Sequence, residues 1–172
     1  PDAQGPTTYA WVNYNSPEHA KALRDMGADI VSLRETGAYV RINENQKSYL
    51  YERFVLSDMP WRTTVNLAEQ GISFDSRVGY ELADEWRNPN SNEYLVQFVA
   101  PTEQAWNDGV VALSGKILRE IGNNLIVVKM TESQKANVEK LSYVQWVGTY
   151  EPGFKMDKNI PDTGIVKVTV DA

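Results

Sequence analysis

The chain has one histidine, His19, and this residue is the first to test for chemistry. Histidine is the side chain most often used as a general acid or base near neutral pH. His19 follows Ser16-Pro17 on a polar stretch that predicts the first turn of a helix. A similar segment later in the chain has Glu103 or Gln104 at this place. We therefore interpret His19 as a solvated surface residue and not as a catalytic base.

A group of three carboxylates, Glu81, Asp84 and Glu85, is the second candidate for chemistry, because carboxylates can bind a hard cation. Such cations need several oxygens that converge from a looped backbone. The spacing here, beside Trp86, instead favours a charged helix face within a helix predicted over 76–86. The interpretation is a solvated surface and not a metal site.

Other reactive constellations are missing from the sequence. Cysteine is absent, which excludes disulfides and thiolate metal sites. No serine lies in a G-x-S-x-G context, and no glycine-rich phosphate loop occurs. The sequence thus predicts a protein that is not an enzyme and that needs no cofactor or metal.

An internal repeat organises the chain. Glu44-Asn45-Gln46-Lys47 recurs as Glu132-Ser133-Gln134-Lys135, within a longer series of matching features. Each copy has an aromatic strand, a proline, an amphipathic helix, a glycine, a hairpin, and then the Glu-x-Gln-Lys helix. Gly27 and Gly115 are predicted left-handed C-caps of the first helix in their copies. Because each copy reads β-α-β-β-α-β, the repeat predicts an α+β protein of two tandem ferredoxin-like units with antiparallel sheets.

The predicted boundaries follow from the repeat. Trp61–Val65 is predicted as a weak last strand of the first copy, and the overlapping segment Thr63–Leu67 is a second strand candidate. Ile165, Val166, Val168 and Val170 are predicted as an extra C-terminal strand. The predicted domains are an N-terminal tail at 1–8, the first repeat at 9–65, an irregular connection at 66–93, the second repeat at 94–155, and a linker with the terminal strand at 156–172.

Charge and hydropathy narrow the range of partners. The formal net charge is −6 and no Lys/Arg cluster occurs, which disfavours nucleic acid. No apolar run is long enough to predict a membrane span. Among the five tryptophans, Trp11, Trp106 and Trp146 fall inside periodic elements and are predicted in the core. Trp61 and Trp86 lie in the middle of the chain, which does not fit the repeat cleanly, and are better candidates for a protein interface.

The second copy resembles a known family. The segment Val144–Pro152 has the pattern V-x-W-V-G-x-Y-x-P and continues to Phe154. Together with Tyr94–Phe98 and Leu118–Val127, it is similar to the N-terminal pro-region of secreted subtilisin-like serine proteases. This resemblance implies a ferredoxin-like fold and a role as intramolecular chaperone and inhibitor. It also implies an extracellular or cell-surface location and a subtilisin-like protease domain as partner, with the sheet packed on the protease and the tail in its cleft.

An alternative function is a self-assembling structural subunit of a surface layer or filament, in which copies of the chain exchange edge strands or the strand 165–170. Both functions depend on a protein interface, and a homo-oligomer is compatible with the second. The predicted interface residues are aromatic or apolar and lie outside the matched parts of the repeat or at its end: Trp61, Trp86, Trp146, Tyr150, Pro152, Phe154, Ile165, Val166, Val168 and Val170.

Overall fold

A computed structural model of the chain describes residues 6–155 except 15, 81, 83, 89, 90 and 114. The predicted strand at 165–170 and Glu81 therefore lie outside the described residues. The chain divides between Trp61 and Arg62 into two compact units, which are called the first and the second unit below. None of the helices in the described ranges combines the length and the apolarity needed to cross a bilayer.

The first unit is a ferredoxin-like α+β unit. Its four strands form one antiparallel sheet in the order β2-β3-β1-β4. In chain order its elements are β1 (Thr7–Asn13), α1 (Pro17–Asp25), β2 (Asp29–Arg34), β3 (Gly37–Asn43), α2 (Glu44–Tyr51) and β4 (Leu56–Asp58). The βαββαβ order and this strand arrangement confirm the predicted split βαβ topology.

The second unit repeats this topology and adds a hairpin in front of it. Its main sheet has the order β10-β7-β9-β8, and β5 pairs with β6 as a separate antiparallel hairpin. The strands and helices are β5 (Thr64–Leu67), β6 (Ile72–Asp75), β7 (Glu93–Phe98), α3 (Gln104–Ala112), β8 (Lys116–Ile121), β9 (Leu125–Lys129), α4 (Glu132–Val138) and β10 (Val144–Thr149). Short 3-10 helices cover Pro60–Thr63, Ala68–Gln70, Asp84–Trp86 and Pro152–Lys155.

The repeated Glu-x-Gln-Lys element begins α2 and α4, as predicted, and its glutamine explains why it recurs. In α2, the Asn43 side chain accepts a hydrogen bond from the Gln46 backbone N–H at 2.9 Å, and the Gln46 side chain accepts one from the Asn43 N–H at 3.0 Å. Thr131 and Gln134 make the same reciprocal pair in α4, at 3.1 and 2.8 Å. Both helices thus begin with a capping box, which satisfies N–H groups that the helix leaves unbonded.

The two glycines that follow α1 and α3 serve different purposes. Gly27 has a φ of 83°, which confirms the predicted left-handed residue after α1. The same prediction for Gly115 is wrong, since its φ is not positive. A Cβ at Gly115 would lie 2.9 Å from Val128 Cγ1 and 3.0 Å from Val110 Cγ1. Glycine is required there because the backbone passes closely between α3 and β9.

Three predictions for the middle of the chain are wrong. The last strand of the first unit is β4 and not Trp61–Val65. Because β4 has three residues and only one of them is apolar, its sequence shows no hydrophobic alternation that would predict a strand. The segment predicted as an irregular connection contains the β5–β6 hairpin. Its first strand, β5, confirms the strand predicted at Thr63–Leu67, but β6 and the pairing of the two strands were not predicted. In place of a helix over 76–86, the described residues there form only the 3-10 turn at Asp84–Trp86, and Gly79 has a left-handed φ of 90° that no helix accommodates.

Each sheet packs its helix-facing side into an apolar core. In the first unit this core consists of Ala10, Val12, Leu23, Ala38, Val40, Ile42 and Leu50, all of them buried. In the second unit Trp106 is buried on the corresponding side, where its ring stacks on Tyr143 at 5.4 Å and contacts Phe98 at 5.5 Å. The prediction that Trp106 is a core residue is confirmed.

Candidate functional site

Aromatic and arginine side chains lie on the face of the first sheet that is turned away from the helices. Side chains alternate between the two faces of a strand. Because Ala10 and Val12 of β1 point into the helix-facing core, Tyr9 and Trp11 lie on the opposite face. The same reasoning places Tyr39 and Arg41 of β3 there. This surface is called the first outer face and consists of Tyr9, Trp11, Arg34, Tyr39 and Arg41.

Two rings form the centre of the first outer face. Trp11 and Tyr39 are directly opposite each other in the β1–β3 register, and their ring centroids are 4.6 Å apart at an interplanar angle of 48°. The guanidinium carbon of Arg34 lies 5.2 Å from the centre of the Tyr39 ring, a cation–π distance. Arg34 Nε also donates to Ser32 Oγ at 2.8 Å. The arginine is thus oriented beside the aromatic pair.

Gly37 makes room for the Trp11 indole. A Cβ at Gly37 would lie 2.4 Å from both Trp11 Cζ2 and the Val12 carbonyl oxygen. The indole N–H donates to Asn13 Oδ1 at 2.9 Å, so the ring lies along its own strand and over Gly37. The geometry of the central pair therefore depends on the absence of a side chain at one position of β3.

The first outer face combines an accessible ion pair with half-buried aromatic rings. Arg41 pairs with Asp29 at 3.0 Å, and the two side chains are 48% and 55% exposed, so this ion pair is accessible to water. Tyr9, Trp11 and Tyr39 are half-buried. Aromatic rings and arginine are the residue types enriched in protein interfaces. The face presents neither a nucleophile paired with a base nor a group of metal ligands.

The corresponding face of the second sheet is covered by its own unit. The β5–β6 hairpin and the segment after β10 pack on it, in a cluster that contains Val65, Leu67, Leu95, Leu125, Val127, Tyr150 and Phe154. The described elements of the first unit, a single sheet and two helices, include no such hairpin. The two units therefore share a topology but differ in what covers this side of the sheet.

A buried polar network holds the hairpin on the second sheet. Gln97 is fully buried on β7, and its side-chain oxygen accepts from Ser76 Oγ at 2.6 Å and from Gln145 Nε2 at 2.8 Å. Its amide donates to the Thr64 carbonyl at 3.2 Å. Gln145 also exchanges hydrogen bonds with Arg62. The hairpin is therefore fixed by specific partners as well as by apolar contact.

Tyr150 and Phe154, two of the predicted interface residues, are core residues. Tyr150 is 3% exposed and Phe154 5%, and their rings lie 6.4 Å apart in the cluster under the hairpin. They are not available to a partner, which corrects the prediction. Pro152 is half-buried in the 3-10 helix between them, and Ile165, Val166, Val168 and Val170 lie outside the described residues.

The three tryptophans predicted at an interface are half-buried. Trp146 packs edge-on against Phe74 of the hairpin at 6.0 Å, and its indole lies over Gly148, where a Cβ would be 2.2 Å from Cζ2. Trp86 packs against Gly153, where a Cβ would lie 2.9 Å from the Trp86 Cβ. Trp61 lies in the 3-10 helix at the end of the first unit.

His19 is not the solvated residue that the sequence predicts. It is half-buried, with its ring 5.2 Å from Phe54 and 6.4 Å from Tyr14, edge-on to both. Among the described residues, its buried Nδ1 has no hydrogen-bond partner. The helix turn is polar in sequence, but the segments that follow β1 and α2 supply the aromatic neighbours Tyr14 and Phe54, which the sequence pattern does not reveal.

The carboxylates Asp84 and Glu85 are exposed in a 3-10 turn. Within the described ranges, no three His, Asp or Glu side chains are grouped as metal ligands.

Sequence reasoning missed the first outer face. Trp11 was predicted in the core, but it is half-buried on the opposite side of the sheet. The signal was present: Tyr9 and Trp11 alternate with the small apolar residues Ala10 and Val12, and Tyr39 alternates with Ala38 and Val40. Since the smaller residues of each strand face the helices, the aromatic ones must face away.

Comparison with known proteins adds little. No family model matches the chain, and no curated protein matches it. A solved structure similar to the chain is the small subunit of acetolactate synthase from Thermotoga maritima, with 13% sequence identity over 83% of this chain and 92% of that chain. Its TM-score is 0.24, which is too low to support a conclusion about fold or function.

Proposed function

We propose that this chain is a non-enzymatic extracellular module that binds another protein through the first outer face, and that the partner is a subtilisin-like protease domain. The observation that carries the proposal is the Trp11–Tyr39 pair with Arg34 beside it. The sequence resemblance of the second copy to subtilase pro-regions names the partner class. The contact is assigned to the first sheet because it has the same topology and its unit has no β5–β6 hairpin among its described elements. In this proposal the second unit is a scaffold, because its own sheet face is already covered.

The composition of the first outer face suits a protein better than a nucleic acid. Aromatic rings supply a large contact area with little loss of side-chain entropy, and the planar guanidinium group of arginine pairs well with carboxylates. Arg41 is paired with Asp29, so the face is not a uniformly basic surface, and the chain carries a formal charge of −6. We expect the complementary surface to be apolar at its centre, with a carboxylate that reaches Arg34.

The alternative, self-assembly through the edges of the sheets, is disfavoured by the edge strands themselves. The outer strands β2, β8 and β10 each contain a register shift, and β4 pairs over only three residues. Bulged or short edges resist pairing with another chain. Assembly through the strand predicted at 165–170 remains a separate prediction.

Titration of the purified chain into an active subtilisin-type protease tests the proposal. We expect inhibition at micromolar concentration or below, and Tyr39→Ala should weaken it about tenfold or more if the ring is a central contact. Arg34→Gln should weaken it less, with a larger effect at low salt. No binding and no inhibition at micromolar concentration would refute the choice of partner.

Tyr51→Ala is the matched control. Tyr51 is 53% exposed and lies on α2, on the helical side of the same unit. Its removal should leave binding unchanged. If Tyr51→Ala weakens binding and Tyr39→Ala does not, the partner contacts the helices and the assignment of the first outer face is wrong.

A further inference from the structure

The second unit contains a cleft that none of the preceding functions uses. Its walls are residues 66–70, at the end of β5 and in the following 3-10 helix, and residues 119–122, at the end of β8 and the turn to β9. The volume is about 340 Å³. This is the lower end of the range of small-molecule sites, roughly 300–1,000 Å³.

A β-bulge directs Arg119 into this cleft. Ile117 is opposite Val128 in the β8–β9 register and Arg119 is opposite Val127, so the pairing skips one residue on β8. Val127 lies on the hairpin side of the sheet, in the cluster with Leu125 and Tyr150. Without the bulge, strict alternation would place Arg119 on the helix side with Ile117. Bulges commonly turn a side chain in this way beside functional sites.

A buried tyrosine orients the arginine. The Arg119 guanidinium donates a hydrogen bond to the Tyr150 hydroxyl, and its central carbon lies 5.6 Å from the Tyr150 ring centre. Burial raises the pKa of Tyr150, against the opposing effect of Arg119, and the carboxylates of Glu93 and Glu69 contribute to the increase. The tyrosine therefore stays neutral near pH 7, and Glu69 is close enough to influence this group.

The charges of the cleft are of both signs and come from different walls. Glu69 lies on the 66–70 wall, together with the amides of Asn66 and Gln70, and Arg119 lies on the other. Glu120 also borders the cleft, but its carboxylate accepts from Asn107 Nδ2 at 2.8 Å, which directs it toward α3. A simple anion would be attracted by Arg119 and repelled by Glu69. A molecule with a carboxylate and an ammonium group is attracted by both.

We propose that this cleft binds a small zwitterion, either a free α-amino acid or a short peptide with both ends free. Its carboxylate pairs with Arg119, which the Tyr150 hydroxyl orients, and its ammonium group pairs with Glu69. Planar guanidinium groups bind carboxylates with two parallel hydrogen bonds.

Calorimetric titration of the whole chain with a panel of free amino acids and dipeptides tests this proposal and distinguishes the two sources. For the tightest ligand, the N-acetyl derivative lacks the ammonium charge and the C-terminal amide lacks the carboxylate. Each derivative should bind about tenfold more weakly or worse, the loss expected for one charge-assisted hydrogen bond. Absence of binding by every member of the panel at about 10 mM, a concentration that would detect millimolar affinity, overturns the proposal.

Variants separate the two charges. R119Q should abolish the preference for the free acid over the amide, and E69Q should abolish the preference for the free amine over the N-acetyl form. Arg87→Gln is the matched control, because Arg87 is exposed in the same unit and does not line the cleft. Unchanged binding in both R119Q and E69Q refutes the site. If R119Q does not fold, E69Q still tests it, since Glu69 is exposed. Protease binding is measured separately, so either function can fail without the other.

Discussion

Replacement of the buried Gln97 by methionine should destabilise the second unit by removing the polar contacts that hold the β5–β6 hairpin on the sheet. Methionine is close to glutamine in length and volume, so the change removes hydrogen bonds with little change in packing. Three bonds are lost: those from Ser76 and Gln145 to the side-chain oxygen, and the one from the amide to the Thr64 carbonyl.

The expected loss follows from these bonds. A net contribution of about 1 kcal/mol for each bond gives about 3 kcal/mol for Gln97→Met. Ser76 and Gln145 retain the Thr63 carbonyl and Arg62 as partners, so the loss should not approach the larger cost of three unsatisfied groups. Ser76→Ala removes one of the same bonds, and the two changes should therefore couple by about 1 kcal/mol in a double-mutant cycle.

Urea unfolding, followed by NMR through the amide signals of β7 and β9, measures the loss in the second unit itself. Gln104→Met is the control, because the Gln104 side chain bonds Asp108 on an exposed face of α3. This change should alter the free energy of unfolding by less than about 0.5 kcal/mol. If Gln97→Met lowers the free energy of unfolding by less than about 1 kcal/mol, or does not couple with Ser76→Ala, these hydrogen bonds do not hold the hairpin on the sheet.

Three further predictions concern single positions. Gly37→Ala should destabilise the first unit by about 1–3 kcal/mol and shift the Trp11 fluorescence, because the added Cβ overlaps the indole and the Val12 carbonyl oxygen. An unchanged melting temperature would contradict this close approach. Asn43→Ala should cost about 1 kcal/mol in urea unfolding through loss of the α2 cap, whereas a neutral effect would show the cap to be dispensable. The side-chain hydrogen bond from Arg77 holds the pKa of Asp75 at about 2, below its ordinary 3.8. The ionised carboxylate therefore stabilises the folded state above pH 3.8, and this contribution is lost as the pH falls through 2. NMR titration should show this value in the native chain and a return toward 3.8 in Arg77→Gln; the same low value in both would exclude Arg77 as the cause.

The topology could be predicted from the sequence because it depends on local signals that occur twice. The Glu-x-Gln-Lys element is part of a capping box, in which Gln46 and Gln134 bond the residue three positions before them. Helix starts of this kind are encoded within four residues. Strands such as β1 and β9 have enough β-branched and aromatic residues to be recognised without knowledge of their partners.

The covering of each sheet could not be predicted, because it depends on contacts between distant segments. Tyr150 and Phe154 are aromatic residues after the last strand, and the sequence alone permits them to face either solvent or core. Their burial follows from the packing of the β5–β6 hairpin on the main sheet, which is a contact that no local sequence pattern encodes. Arg119 is a similar case, since the bulge that turns it into the cleft is visible only in the register with β9.

The two units differ in their central cross-strand pairs. Leu95 and Val127 are opposite each other in the second sheet, and this aliphatic pair is stabilised by the residues of its own unit that remove it from water. Trp11 and Tyr39 are the corresponding pair in the first sheet. Each carries a polar group that tolerates water, so this face can be stable both before and after a partner binds. The second unit covers this side of its own sheet, and this is the physical reason for which the proposed partner is assigned to the first sheet.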